Sequence, residues 1–96
     1  MPYFLVELEY KNRDEINQLR PAHRDYIERL FEQQKVASAG RFADNSGSVF
    51  LYNANGRAEL LPMIEADPYL QNKLANIASI REFEPGIAAA IEYVRR

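Results

Sequence analysis

Proton transfer near neutral pH has one natural carrier in this 96-residue chain, its single histidine, His23. No cysteine is present to supply a thiolate, and histidine is the side-chain type that titrates near neutrality. His23 lies in Leu19-Arg20-Pro21-Ala22-His23. With Ile27, Leu30 and Phe31 it takes the i, i+4, i+7, i+8 positions of an apolar helical face that should pack on a sheet. Pro21 suits the first turn of a helix, so the spacing predicts a helix from about 20 to 35 with His23 near its start. Exposed N–H groups and the helix dipole there disfavour an imidazolium. A neutral imidazole in that place can serve as a general base or proton shuttle. The structural alternative is a ring that packs on the sheet and satisfies one nitrogen on the backbone.

Asp67 is the best carboxylate candidate. Asp67-Pro68 reads as a helix start, with Asp67 as N-cap and Pro68 in the first position. A carboxylate has two oxygens, so one can cap while the other orients an imidazole N–H. Chain spacing alone does not bring Asp67 to His23. Arg20, three residues before His23, can lie on the same side of the helix and hold an anionic group. Arg41, in an apolar strand, faces opposite to Gly40 and Phe42 and needs a partner or a ligand carboxylate. Ser38, Ser48, Tyr26 and Tyr69 are weaker polar handles. Glu7 and Glu9 share a strand face and can pair with Arg41 or Arg81 across a sheet. No Gly-rich phosphate loop or nucleophile elbow occurs, and one histidine without cysteine makes no structural zinc site. No metal and no cofactor are expected.

The elements that must position these residues follow from periodicity and punctuation. Residues 2–10 are rich in aromatic and branched residues with period-2 character and predict β1. After a polar break at Lys11-Asn12-Arg13-Asp14, a short helical turn is expected over 14–19, then α1 over 20–35. Val36 to Phe42 predicts β2, Asp44-Asn45-Ser46-Gly47 a hairpin loop, and Ser48 to Asn53 β3. Residues 57–66 read as α2, with Pro62 removing one ladder bond. A short helix should run from Asp67 to about Lys73, β4 from Ala75 to Phe83, and a last helix over 87–96. The order βαββαβ plus a C-terminal helix is the ferredoxin-like, split βαβ pattern of an α+β domain with an antiparallel sheet. Both faces of that sheet read apolar: β3 shows Val49 and Leu51 on one and Phe50 and Tyr52 on the other. The helices cover one face, which predicts a two-fold homodimer with sheets face to face over the second. A C-terminal helix folded across that face in a monomer is the alternative.

Composition sets the frame. The length suits one domain over residues 1–96. Hydrophobic residues at 47% and charged residues at 27% are ordinary for a globular chain. Twelve basic residues are scattered without a run and the net charge is −2, so nucleic acid is not an expected partner. No stretch approaches the ~20 apolar residues of a membrane span. The absence of cysteine fits a reducing cytoplasm, and the segment after Met1 reads directly as a strand rather than an export signal.

Arg20-Pro21-Ala22-His23, Ser38-Ala39-Gly40-Arg41-Phe42, Gly47-Ser48, Asp67-Pro68-Tyr69 and Glu82-Phe83-Glu84-Pro85, in that order, resemble the YciI-like (YCII-related) family over about residues 2–85. The resemblance implies a ferredoxin-like domain that dimerises into an α/β barrel. It also implies a site centred on a His–Asp pair, falling here on His23 and Asp67. The family often has a hydrophobic residue after the histidine and Gly-Pro after β2; this chain has Arg24 and Gly40-Arg41. The implied function is a small cofactor-free enzyme, with His23 as general acid/base and Asp67 setting its tautomer. Its chemistry would be elimination, isomerisation or dehydrochlorination on a small cyclic or aromatic acid or phenol. Arg20, Arg41, Ser38 and Tyr69 are the substrate-binding candidates. The alternative is a non-catalytic module that binds a small molecule or regulates a partner.

Overall fold

The structure, a computed structural model, describes residues 2–87. The element order is β1 (Tyr3–Tyr10), α1 (Arg13–Glu32), β2 (Val36–Arg41), β3 (Gly47–Asn53), α2 (Arg57–Glu65), α3 (Pro68–Gln71) and β4 (Ala75–Phe83). The strands form one four-stranded sheet in the order β2-β3-β1-β4, each neighbouring pair antiparallel. This is the α+β, ferredoxin-like arrangement expected from the sequence. The expected C-terminal helix falls, beyond Ile87, outside the described residues. Among the described residues no helix is long and apolar enough to cross a membrane.

One expectation fails at α1. Residues 14–19 are not a separate turn but the first part of one continuous 20-residue helix. Its N-cap is Asn12, whose side chain accepts from the Glu15 N–H at 3.1 Å. Pro21 therefore lies inside the helix rather than in its first turn. The helix tolerates it because Pro21 and Asn17, whose carbonyl loses its usual partner, both face solvent, where water can satisfy that carbonyl. Ile16, Ile27 and Leu30 are the buried positions of α1. Phe31, expected on that face, is 58% exposed.

β1 sends Phe4, Val6 and Leu8 to the helix side, where they meet Phe50 and Tyr52 of β3. Ile16, Ile27 and Leu30 of α1 and Leu60 and Ile64 of α2 close this core from above. The opposite face carries Tyr3, Ala37 and Leu51, which pack together, with Leu5 and Val49 half-buried beside them and Phe83 41% exposed. Glu7 faces this side too, in register with Val49 and Ser79, and accepts from the Ser79 hydroxyl at 3.3 Å. Its expected pairing with Arg41 does not form, because β3 stands between β1 and β2. Among the described residues neither Glu7 nor Glu9 makes an ion pair with Arg81.

Candidate active site

The site is assembled by the end of α2, the single turn of α3 and the middle of α1. Asp67 starts α3: its side chain accepts from the Tyr69 N–H at 2.9 Å, and Pro68 follows at the first helical position. The Asp67 backbone is held as well, its N–H donating to the Ile64 carbonyl at 3.1 Å and its carbonyl accepting from Leu70 and Gln71 at 2.9 Å. The carboxylate is therefore fixed before any ligand arrives. On the facing side, the Tyr26 hydroxyl donates to the Met63 carbonyl at 2.6 Å and braces α1 against α2. Across this brace His23 Nδ1 lies 2.9 Å from Asp67 Oδ1. The side chain of Asp67 is 1% exposed and that of His23 13%.

This geometry corrects two expectations. His23 sits near the middle of α1, so the helix N-terminus does not act on it; its environment is set by Asp67 and by aromatic rings. The two oxygens of Asp67 also do not divide the work. Oδ1 alone accepts from both Tyr69 N–H and His23 Nδ1–H, while Oδ2 is buried without a partner among the described residues. An oxygen already accepting a backbone N–H takes the proton-bearing nitrogen of the ring as its second donor. In the neutral ring this places the proton on Nδ1, and Nε2 makes no hydrogen bond to protein among the described residues.

Aromatic contacts hold the imidazole plane. The ring stacks on Tyr69 with centroids 4.0 Å apart and planes at 7°, and meets Phe50 edge-on at 5.7 Å. Tyr69 is in turn held edge-on by Tyr10 at 5.6 Å. Around the carboxylate, burial pushes the Tyr26 hydroxyl above its ordinary range, and the negative Asp67 adds to the effect. Tyr52 is pushed up strongly by the same two causes in the same order. Burial also raises Tyr69, while the Arg20 guanidinium beside its hydroxyl pulls the other way.

His23 opens on a cleft of about 490 Å³ between α1 and the β2–β3 hairpin. Arg20, His23, Ser38, Arg41 and Tyr69 all line it, and Asp67 stands behind His23. Arg20 donates to Asn45 Oδ1 at 3.2 Å, tying α1 to the hairpin tip. That tip is an Asx turn in which Asp44 accepts from the Ser46 N–H and hydroxyl, bonds that hold the Asp44 carboxyl below its usual range. Ser38 reaches the cleft only from the β2 edge, since its register partner Leu51 faces the other side of the sheet. Arg41 is exposed, shares a face with Ser48, and has no ion pair among the described residues.

Tyr10, Phe50 and the Arg24–Glu28 pair also line the cleft and were not singled out from sequence as site residues. The signal for Tyr10 and Phe50 was present: strand alternation puts them on the same face as Leu8 and Tyr52. Among the described residues no three His, Cys, Asp or Glu side chains gather where they could hold a metal ion.

Comparison with known proteins joins this geometry to a lineage. The family model of the YCII-related domain matches residues 1–84. The chain belongs to the YCII-related family. Among solved structures it is similar to the 5-chloro-2-hydroxyhydroquinone dehydrochlorinase of Burkholderia phenoliruptrix AC1100, in complex with 2,5-dihydroxybenzoquinone. That likeness has a TM-score of 0.69 at 20% identity and covers 90% of this chain and 95% of the other. At that identity the likeness shows the shared ferredoxin-like fold of this YCII-related chain. No curated protein matches the sequence.

Proposed function

We propose that this protein is a cofactor-free enzyme that moves a proton on a small cyclic or aromatic acid or phenol, with His23 as general acid/base. The observation that carries the reading is the 2.9 Å contact of His23 Nδ1 with a buried Asp67 carboxylate, made by a histidine that lines a cleft. Nε2 takes a proton from carbon or oxygen of the ring compound. The electron pair left behind forms the new double bond. In an elimination the leaving group departs as an anion with its own pair; in an isomerisation the imidazolium returns the proton at a second position. Asp67 stabilises the imidazolium in both cases, and general acid–base help of this kind is worth ~10²–10⁴-fold. The dehydrochlorinase with the same fold supports a ring compound as the class of substrate.

The apolar sheet face away from the helices supports a second element of the reading, a two-fold homodimer in which Tyr3, Leu5, Val49 and Leu51 meet the same residues of a second copy and the two sheets form an α/β barrel.

The test is solvent exchange. A panel of cyclic acids and phenols is incubated with the protein in deuterated water and followed by NMR. The native protein should wash deuterium into at least one acidic C–H position, and His23→Ala should lose this exchange while keeping its circular dichroism. Equal exchange by His23→Ala sinks the mechanism. Compounds that bind and never exchange or turn over would make the protein a binding module.

A further inference from the structure

At the hairpin end of the cleft the structure leaves one polar group unexplained. Ser48 is 2% exposed, and its Oγ is buried without a hydrogen-bonding partner among the described residues. Native proteins rarely leave a buried hydroxyl unpaired, and each such group calls for a missing partner. Ser48 lines the cleft that His23 lines. Its register neighbour on β1 is Leu8, which offers no polar side-chain atom. Its neighbour on β2 is Arg41. Directly opposed residues of an antiparallel pair share a face with Cβ atoms ~5 Å apart. A guanidinium with no ion pair and a hydroxyl with no partner among the described residues are therefore register neighbours on the cleft wall.

The charge of the cleft points the same way. Three arginines, Arg20, Arg24 and Arg41, line it against one carboxylate, Glu28, which Arg24 already engages at 3.1 Å. The chain as a whole carries a net charge of −2. A local positive excess in a negatively charged protein focuses anions into that cleft.

Building on the acid/base reading of His23, we propose that Arg41 and Ser48 form an anion subsite and that the substrate is a ring compound bearing a carboxylate. The guanidinium and the hydroxyl donate to the two carboxylate oxygens. Ile27, Phe31 and Phe50 supply apolar surface for the ring, and its acidic proton meets His23 Nε2. Arg41 and Ser48 are the residues that select acids over neutral phenols.

Benzoate and phenol, a carboxylate and a neutral ring of similar size, test this by calorimetry or ligand-observed NMR on the native protein and variants. Benzoate should bind at least about tenfold tighter than phenol, as expected for charge-assisted hydrogen bonds. Arg41→Gln should erase that preference. Ser48→Ala should weaken benzoate about three- to tenfold and at the same time raise the melting temperature of the free protein, because it removes an unpaired buried hydroxyl. A merely structural serine would not show that pair of effects. Benzoate binding no tighter than phenol, or unchanged in both Arg41→Gln and Ser48→Ala, overturns the subsite. Proton exchange on phenols without any preference for acids overturns the subsite alone. Benzoate held through Arg41 and Ser48 by a protein that exchanges no proton overturns the acid/base reading alone.

Discussion

Asp67 does two jobs through one atom, and this makes its substitutions informative. Oδ1 caps α3 and holds the imidazole, so truncation to alanine would mix a stability loss with a chemical one. Asparagine separates them, because Asn caps a helix about as well as Asp. Asp67→Asn keeps an acceptor at the Tyr69 N–H but removes the negative charge that stabilises an imidazolium. We expect its kcat to fall about 10²-fold or more on any substrate that His23 turns over. Its melting temperature should stay close to that of the parent. An unchanged kcat, measured alongside melting, would reduce Asp67 to a helix cap.

Among the elements, α1 carries the main internal conflict. It runs unbroken through Pro21, which cannot donate an N–H and crowds the preceding turn. The helix persists because Ile16, Ile27 and Leu30 bury one stripe and Asn12 caps the start, so tertiary packing outweighs the local penalty. Restoring the N–H should be stabilising. Pro21→Ala is expected to raise unfolding free energy by about 1–2 kcal/mol, less than the full ~3 kcal/mol for an interior proline because the unfolded chain also gains freedom. Urea titration checks this, and a lower midpoint in the variant would mean that α1 needs Pro21 in place. A neighbouring constraint acts at the hairpin. A Cβ at Gly47 would collide with the Leu8 carbonyl oxygen, so the strand that carries Ser48 can lie this close to β1 only with glycine there.

At the scale of the whole molecule, two properties follow from where aromatic and apolar side chains lie. Tyr52 is buried and Tyr26 half-buried near a carboxylate, and both hydroxyls are pushed above the ordinary value of 10.0. The unfolded chain gives up these protons first as pH rises, so the stability they contribute is fully present below pH 10.0 and lost as pH climbs towards the folded values. Denaturation midpoints should therefore fall in that alkaline window, in step with tyrosinate absorbance, and fall less steeply in Tyr52→Phe. A midpoint that stays flat there would contradict the burial of these hydroxyls. The second property is association. If the sheet face away from the helices meets a second copy, sedimentation should give a dimer, and Leu51→Lys should convert it to a folded monomer. A monomeric native protein over a wide concentration range would overturn the two-fold arrangement.

Local pattern was enough to read the strands, the hairpin, Asp67-Pro68 as a helix start and the βαββαβ order, because strand alternation and cap chemistry act between residues close in the chain. The His–Asp pair was legible only through family resemblance, since the two residues lie 44 positions apart and no local rule spans that distance. Local rules also misplaced the start of α1: Pro21 signals a first turn only until long-range packing of Ile16 holds the earlier residues in the same helix. Tertiary structure alone decided that one oxygen of Asp67 meets both Tyr69 and His23, that Arg41 does not pair with Glu7, and that Ser48 is buried beside Arg41 without a partner among the described residues. Those outcomes depend on strand order and helix docking, which bring together side chains that the covalent chain keeps far apart.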